Sequence, residues 1–173
     1  MTTDPIRPDP SGEPINTTDP LAEVRDFILA RRQAVLAVSA GDEPFTAMTS
    51  YAVEPELTGF LVHLSDLSPH KRMLLANPKC SLLIAQADDG RAEVMSLARV
   101  MLQGVAAKIE KHSEDYARAK ARFLARLPAS EIMFGLPDFD LFRIAPTGGR
   151  FIGGFGRAFA FTADQLTRSQ FRA

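Results

Sequence analysis

Cysteine occurs once in the 173 residues, at Cys80, so no intrachain disulfide can staple the chain. That thiol sits in the apolar run KCSLLIAQ, which fits a reducing compartment and reads as a buried strand residue rather than a nucleophile. Charge of neither sign is in excess. The 20 Lys and Arg stand against 21 Asp and Glu, and a net charge of -1 supplies no long-range field for nucleic acid or an anionic membrane. No apolar run approaches the roughly 18 residues of a membrane span, and the N-terminus lacks the basic start and continuous apolar stretch of a secretion signal. A soluble cytoplasmic protein is expected, with neither nucleic acid nor membrane as partner. A phosphate-binding glycine loop and a dinucleotide fingerprint are also missing, since GGFG has the wrong spacing and context. Any anion site has to be built locally.

The chain is about the size of one domain. Residues 1–18 carry four prolines and almost nothing apolar, the composition of a flexible tail, and residues 19–173 are expected to form a single domain. In TDPLAEVRDFILARR, Asp19 is placed as an N-cap with Pro20 at the first helical position, and Leu21, Val24, Phe27 and Ile28 recur at helical spacing. AVLAVSA, FTAMTSYAV and GFLVHLS are short apolar or alternating runs punctuated by GDEP and EPELTG, the pattern of a three-strand antiparallel meander. Ser68 followed by Pro69 opens a second helix that NP ends after Ala76, and KCSLLIAQ follows as a strand expected to be buried on both sides. SLARVMLQGVAAKI is a long strand with Gly104 as the place for a bulge. HSEDYARAKARFLARL is an amphipathic helix capped by Ser113, and DFDLFRIAP and GRFIGGFGRAFAF are two strands joined by a tight TGGR turn. Strands in this number fit a small closed barrel better than a parallel sheet.

Two stretches carry chemistry. In HLSDLSPHKR a strand turns into a helix whose first amides lack intrahelical acceptors and whose dipole adds partial positive charge. Hydroxyls of Ser65 and Ser68, with His70, Lys71 and Arg72 projecting from the first turn, outline a phosphate site. The plainer reading is a helix cap flanked by solvated charges. In GRFIGGFGRAFAF, glycines among Phe151, Phe155 and Phe159 permit a planar ligand to approach, or equally a glycine-kinked strand whose rings fill the core.

HLSDLSPHKRMLLANPKCSLLI, ARVMLQGVA and DFDLFRIAPTGGRFIGGFGRAFAF, in this order, resemble the FMN-binding split-barrel superfamily of pyridoxamine 5'-phosphate oxidase, and within it the haem-utilisation branch. The resemblance implies a mainly β fold with α, a split β-barrel. It would be a six-stranded antiparallel Greek-key barrel with peripheral helices, forming a homodimer with FMN in two clefts at the subunit interface. It also implies that Ser65, Ser68, His70, Lys71 and Arg72 hold the FMN phosphate, with His70 standing where the oxidase branch has a lysine. Thr46, Met48, Thr49 and Ser50 would run beside the flavin ring, with Arg99 and Phe155 near it. The activity implied is that of an FMN-dependent oxidoreductase of unknown substrate; no catalytic residue stands out, because a flavin carries its own electron chemistry.

The haem-utilisation branch binds haem through a histidine in a C-terminal segment, and TADQLTRSQFRA contains none. Of His63, His70 and His112, His63 is the candidate haem ligand, against its reading as a core or interface histidine. The alternatives to a flavoprotein are therefore a haem-binding or haem-degrading protein, with Phe151, Phe155 and Phe159 as apolar walls, and a barrel that has lost its cofactor. No other metal site is expected.

Overall fold

The computed structural model describes residues 19–154 and 156–167; the proline-rich segment 1–18, Phe155 and the last six residues lie outside it. Helix α1, Pro20–Leu29, starts where expected, with the Asp19 carboxylate accepting from the Leu21 amide at 3.0 Å. β1 (Gln33–Ala40) and β2 (Glu43–Ser50) form a hairpin, and the two-residue β3 (Ala52–Val53) follows. β4 (Phe60–Ser65), α2 (Pro69–Ala76), β5 (Lys79–Ala85) and β6 (Arg99–Lys108) come next. α3 (Glu114–Arg126) begins at Ser113, whose Oγ accepts from the Tyr116 amide at 3.0 Å. The chain then runs through α4 (Glu131–Phe134), β7 (Phe139–Gly154), β8 (Arg157–Thr162) and α5 (Ala163–Thr167).

All pairings among the described strands are antiparallel, in the order β2-β1-β5-β6-β7-β4-β3, with β8 also on β7. β4 to β7 make a Greek key: β5, β6 and β7 are sequential neighbours, and β4, joined to β5 through α2, lies beside β7. The split-barrel architecture is as expected, with local differences. Eight strand segments stand where six strands were expected; one of the breaks is at Tyr51, which turns its ring into the core between β2 and β3 and donates to the Ile28 carbonyl at 2.7 Å, closing the end of α1. The three-strand meander forms only in part: β1 pairs with β2, but of the second run only the short β3 pairs with β4, whose longer pairing is with β7. TGGR is not a turn either. β7 runs straight through it for 16 residues, so the hairpin falls between Gly154 and Arg157. Gly149 is there for closeness, since a Cβ would sit 2.6 Å from the Phe161 ring and 2.7 Å from the Met101 carbonyl oxygen.

β5 alternates instead of being buried on both sides: Cys80, Leu82 and Ile84 face the core, while Lys79 is exposed. Burial pushes the Cys80 thiol up to about 12, so it should react with a disulfide reagent at least about a hundredfold more slowly than a free thiol until the chain unfolds. A native rate near that of free cysteine would contradict this packing. The main core joins Leu36, Phe60, Phe142 and Phe151 across the sheet, and a second cluster, with Leu61, Phe123 and Leu141, lies under α3. Among the described residues no helix is long and apolar enough to cross a membrane.

Candidate functional site

β4 ends at Ser65, and the turn into α2 is built on that residue. Its hydroxyl donates to Asp138 Oδ2 at 2.5 Å and accepts from the Leu67 amide at 3.1 Å, while its carbonyl accepts from the Ser68 amide at 3.1 Å. Ser68 holds the N-cap position with extended backbone but makes no side-chain capping bond. The first turn of α2 offers fewer free amides than expected. Pro69 has none, and that of Lys71 donates to the Ser68 carbonyl at 3.1 Å.

Lys71 does not project from this turn as a phosphate cation. Its side chain is 1 % exposed and its ammonium lies 2.6 Å from Asp66 Oδ1 and 2.8 Å from Asp140 Oδ2, also donating to the Asp138 carbonyl at 2.9 Å. Lys108 and Lys111 reach Asp140 at 3.0 and 3.3 Å. Burial opposes the charge on Lys71, but its bonds to Asp140 and Asp66 outweigh it and raise the ammonium pKa. Asp140 likewise loses water, yet the bonds from Lys71 and Lys108 hold its carboxyl down at about 2. The positive charge of Lys71 is thus satisfied internally, and the cluster ties the β4–α2 turn to the start of β7. In sequence only the flanking aspartates of DFD hinted at it.

Beside this turn is a cavity of about 220 Å³. It gathers seven of the expected residues, Met48, Thr49 and Ser50 from the end of β2, His63 and Ser65 from β4, and Ser68 and His70 from α2. Phe123, Met133 and Phe139 complete the wall and were not foreseen, because they come from α3, α4 and β7. The rim elements expose apolar side chains: Met48 is 65 %, Leu67 89 % and Ile132 78 % exposed.

Two imidazoles face this cavity, and burial lowers the pKa of both. His70, stacked on Phe45 with centroids 6.3 Å apart, is shifted down by desolvation. His63 lies parallel to Phe134, 3.9 Å between centroids and 10° between planes, with Phe139 at 5.0 Å and Phe123 at 6.0 Å. Desolvation, then Lys111, push it down to about 4, with Lys71 and Lys120 adding to this against Asp140. Both ring nitrogens of His63 are buried without a hydrogen-bond partner among the described residues. A buried polar group left so costs about 1–3 kcal/mol.

Other expected residues lie elsewhere. Thr46 is exposed further along β2, Arg72 is exposed on α2, and neither lines the cavity. Arg99 is paired with Ile152 and donates to the carbonyls of Met95 and Leu97 at 2.9 and 3.0 Å, at the opposite end of β7 from Phe139. Phe151 is 1 % exposed and packs on Phe27 and Phe159, at 5.8 and 5.7 Å, so it fills the core instead of walling a ligand. Phe155 lies outside the described residues. A larger groove of about 480 Å³ crosses β1, β5 and β6, but Ala37, Ser39, Ser81 and Val105 line it and no imidazole or carboxylate faces it. Among the described residues no three His, Cys, Asp or Glu side chains come together to hold a metal ion.

Comparison with known proteins gives this geometry a context. The family profile described as pyridoxamine 5'-phosphate oxidase matches residues 21–153. The haem oxygenase HutZ of Vibrio cholerae is 30 % identical over 148 residues, covering 83 % of this chain and 82 % of that protein. The chloroplastic haem oxygenase HOZ of Arabidopsis thaliana is 32 % identical over 131 residues, 75 % of this chain and 38 % of that one. Among solved structures, a haem-binding protein from Mycobacterium smegmatis superposes with a TM-score of 0.77 at 24 % identity, a likeness of fold. It covers 87 % of this chain, which spans 60 % of that longer one. The crystal structure of HutZ, described there as a haem storage protein, gives 0.64 at 26 % identity, covering 72 % and 88 %.

Proposed function

The chain belongs to the pyridoxamine 5'-phosphate oxidase family, and from that premise we propose that it is a haem-binding protein of the haem-oxygenase type, acting as a homodimer. The observation that carries this reading is the pairing of two imidazoles held neutral by burial, His63 and His70, in one cavity with an apolar rim. A neutral imidazole is a good ligand for iron, and Met48, Leu67 and Ile132 suit the apolar face of a porphyrin. The HutZ similarity, which spans more than four fifths of both chains, supports the same choice. Bound haem would supply the iron at which dioxygen is activated; the residues of this chain would orient the macrocycle and keep water from it.

A flavin finds less here. An FMN phosphate carries close to two negative charges, whereas Lys71 is neutralised by Asp66 and Asp140 and His70 is uncharged at neutral pH, leaving Arg72 and the Ser68 hydroxyl at the start of α2. Electron transfer from FMN to an unidentified substrate is therefore the second reading, and it draws on the helix end and on the family.

The cavity volume bears on assembly. About 220 Å³ is below the roughly 300–1,000 Å³ of most cofactor pockets, which supports the homodimer reading, in which a second copy would complete the site over the exposed rim.

The deciding experiment is the absorbance spectrum of the purified protein before and after haemin and, separately, FMN, with free ligand removed and sedimentation measured alongside. A retained Soret band on a dimer, bleached by a reductant in air, is expected. Retained flavin with no Soret band would replace this reading by the flavoprotein one, and a monomer that binds haem would remove the dimer.

A further inference from the structure

One face of the sheet carries a row of apolar side chains on which no described helix packs. Register fixes the row: Val35 of β1 lies opposite Met48 of β2 and Leu83 of β5, and Leu83 lies opposite Met101 of β6, so four large apolar residues run across four neighbouring strands. Each alternates with residues that point into the core, among them Leu36, Leu82 and Leu102, and therefore stands on the outer side. α2 packs on the inner side through Met73 and Leu74, and α3 covers only the outer side of β3, β4 and β7. Met48 is exposed and the other three are half-buried against their strand neighbours. An antiparallel sheet with one wetted face ordinarily turns polar side chains to the water, and an uncovered apolar row of this length marks an interaction surface.

Beside this ridge runs a furrow. Two positions along each strand stand Ala37, Ser81 and Gln103, and the groove of about 480 Å³ lies over them, its lining drawn from β1, β5, β6 and β7 alone. A ridge parallel to a furrow is self-complementary, because a two-fold axis running between them seats the ridge of each copy in the furrow of the other. Lys79 and Arg150 are exposed at the ends of the face, where solvent keeps their charge. The area suffices. Five strands from β2 to β7 span roughly 24 Å and β5 is about 24 Å long, so two copies meeting here hide on the order of 1,200 Å², the lower bound for a stable specific interface. Met48 belongs to both surfaces, since it ends the row and also lines the cavity beside α2, so a copy seated on the face reaches the cavity rim. We propose that the outer face of β2, β1, β5 and β6 is where a second copy of this chain docks, ridge into furrow. This rests on the homodimer part of the reading above and deepens it by naming the surface.

The test is sedimentation equilibrium of the full chain and its variants over a range of concentrations, with circular dichroism to follow folding. Leu83→Lys on the ridge and Ala37→Arg in the furrow raise the dimer dissociation constant at least about a hundredfold, because each places an unpaired charge in the contact. Leu83→Ala and Met101→Ala, which only shorten the ridge, each raise it about tenfold with secondary structure unchanged. Leu29→Lys, at an exposed apolar position at the end of α1, leaves the constant at its wild-type value. Should the charged variants fail to fold, the two alanine variants decide. A wild-type dissociation constant in folded Leu83→Lys and Ala37→Arg, or in both alanine variants, overturns the assignment of this face and leaves the homodimer standing. A wild-type chain that stays monomeric at every concentration removes the homodimer reading and this proposal with it.

Discussion

Asp140→Ala is expected to destabilise the protein by about 3–5 kcal/mol, the effect of removing one partner from a buried ion pair. Asp140 is the centre of the charge cluster: 11 % exposed, it takes Lys71 at 2.8 Å, Lys108 at 3.0 Å and Lys111 at 3.3 Å. Without it the Lys71 ammonium stays 1 % exposed with only the solvent-facing Asp66 and a carbonyl to compensate it. Lys108→Ala, which removes a partner 42 % exposed, should cost less than about 1 kcal/mol. Replacing both buried partners, Lys71→Met with Asp140→Leu, should recover most of the loss in stability, because an apolar pair leaves no stranded charge. Its haemin or FMN affinity should still fall, since the β4–α2 turn loses its tie to β7. Urea unfolding and ligand titration read the two quantities separately. Equal, small losses for Asp140→Ala and Lys108→Ala would show that the cluster is a solvated surface feature.

The same carboxylate shapes the acid limb of stability. Its pKa is about 2 when folded against 3.8 ordinarily, so its contribution is present above the ordinary value and disappears as pH falls from about 4 towards 2. The shift corresponds to about 2 kcal/mol. Stability measured from pH 5 to 2 should therefore fall less steeply in Asp140→Ala than in the wild type.

Gly104→Val is expected to cost about 2–3 kcal/mol, within the usual range for overpacking a tight site. β6 and β7 change register between Gln103 and Gly104, and a Cβ at that point would lie 2.6 Å from Ile144 Cγ2 and 2.8 Å from the Ala145 carbonyl oxygen. Ile144 can rotate; the carbonyl belongs to the β7 backbone and cannot yield without disturbing the ladder. Gly104→Ala meets the same atoms and should lose most of that amount, whereas Gly90→Ala, with φ +76° but nothing within 4 Å, should lose about 1 kcal/mol through backbone strain alone. Thermal unfolding of the three variants distinguishes the two mechanisms. A loss at Gly104 no greater than at Gly90 would mean the strands separate easily there.

Local signals in the sequence were sufficient for local structure. Asp19 and Ser113 cap α1 and α3, Ser68–Pro69 opens α2, and Gly104 marks the bulge, because each feature depends on atoms within a few residues of itself or on the loss of a side chain. The turn glycines were harder. TGGR has the composition of a hairpin, but the ring of Phe161 over Gly149 makes the same small residues necessary within a continuous strand. The stretch from Ser65 to Arg72 reads as a phosphate turn, and a cavity lies against three of its residues, Ser65, Ser68 and His70.

The charge state of that turn was beyond the reach of the sequence. Lys71 reads as a free cation until the sheet order places Asp140 beside it, 69 positions later in the chain, and His63 reads as an ordinary core histidine until α3, α4 and β7 bring Phe123, Phe134 and Phe139 around it. Local propensity cannot choose among such distant pairings, since closing a loop of this length costs almost the same for many alternative partners and only the complete packing separates them. The sequence by itself determined helices α1, α2 and α3, most of the strand runs and the family resemblance. The tertiary structure alone decided which of its cations are spent within the fold and which imidazole is left without a hydrogen-bond partner among the described residues, because distant packing sets both.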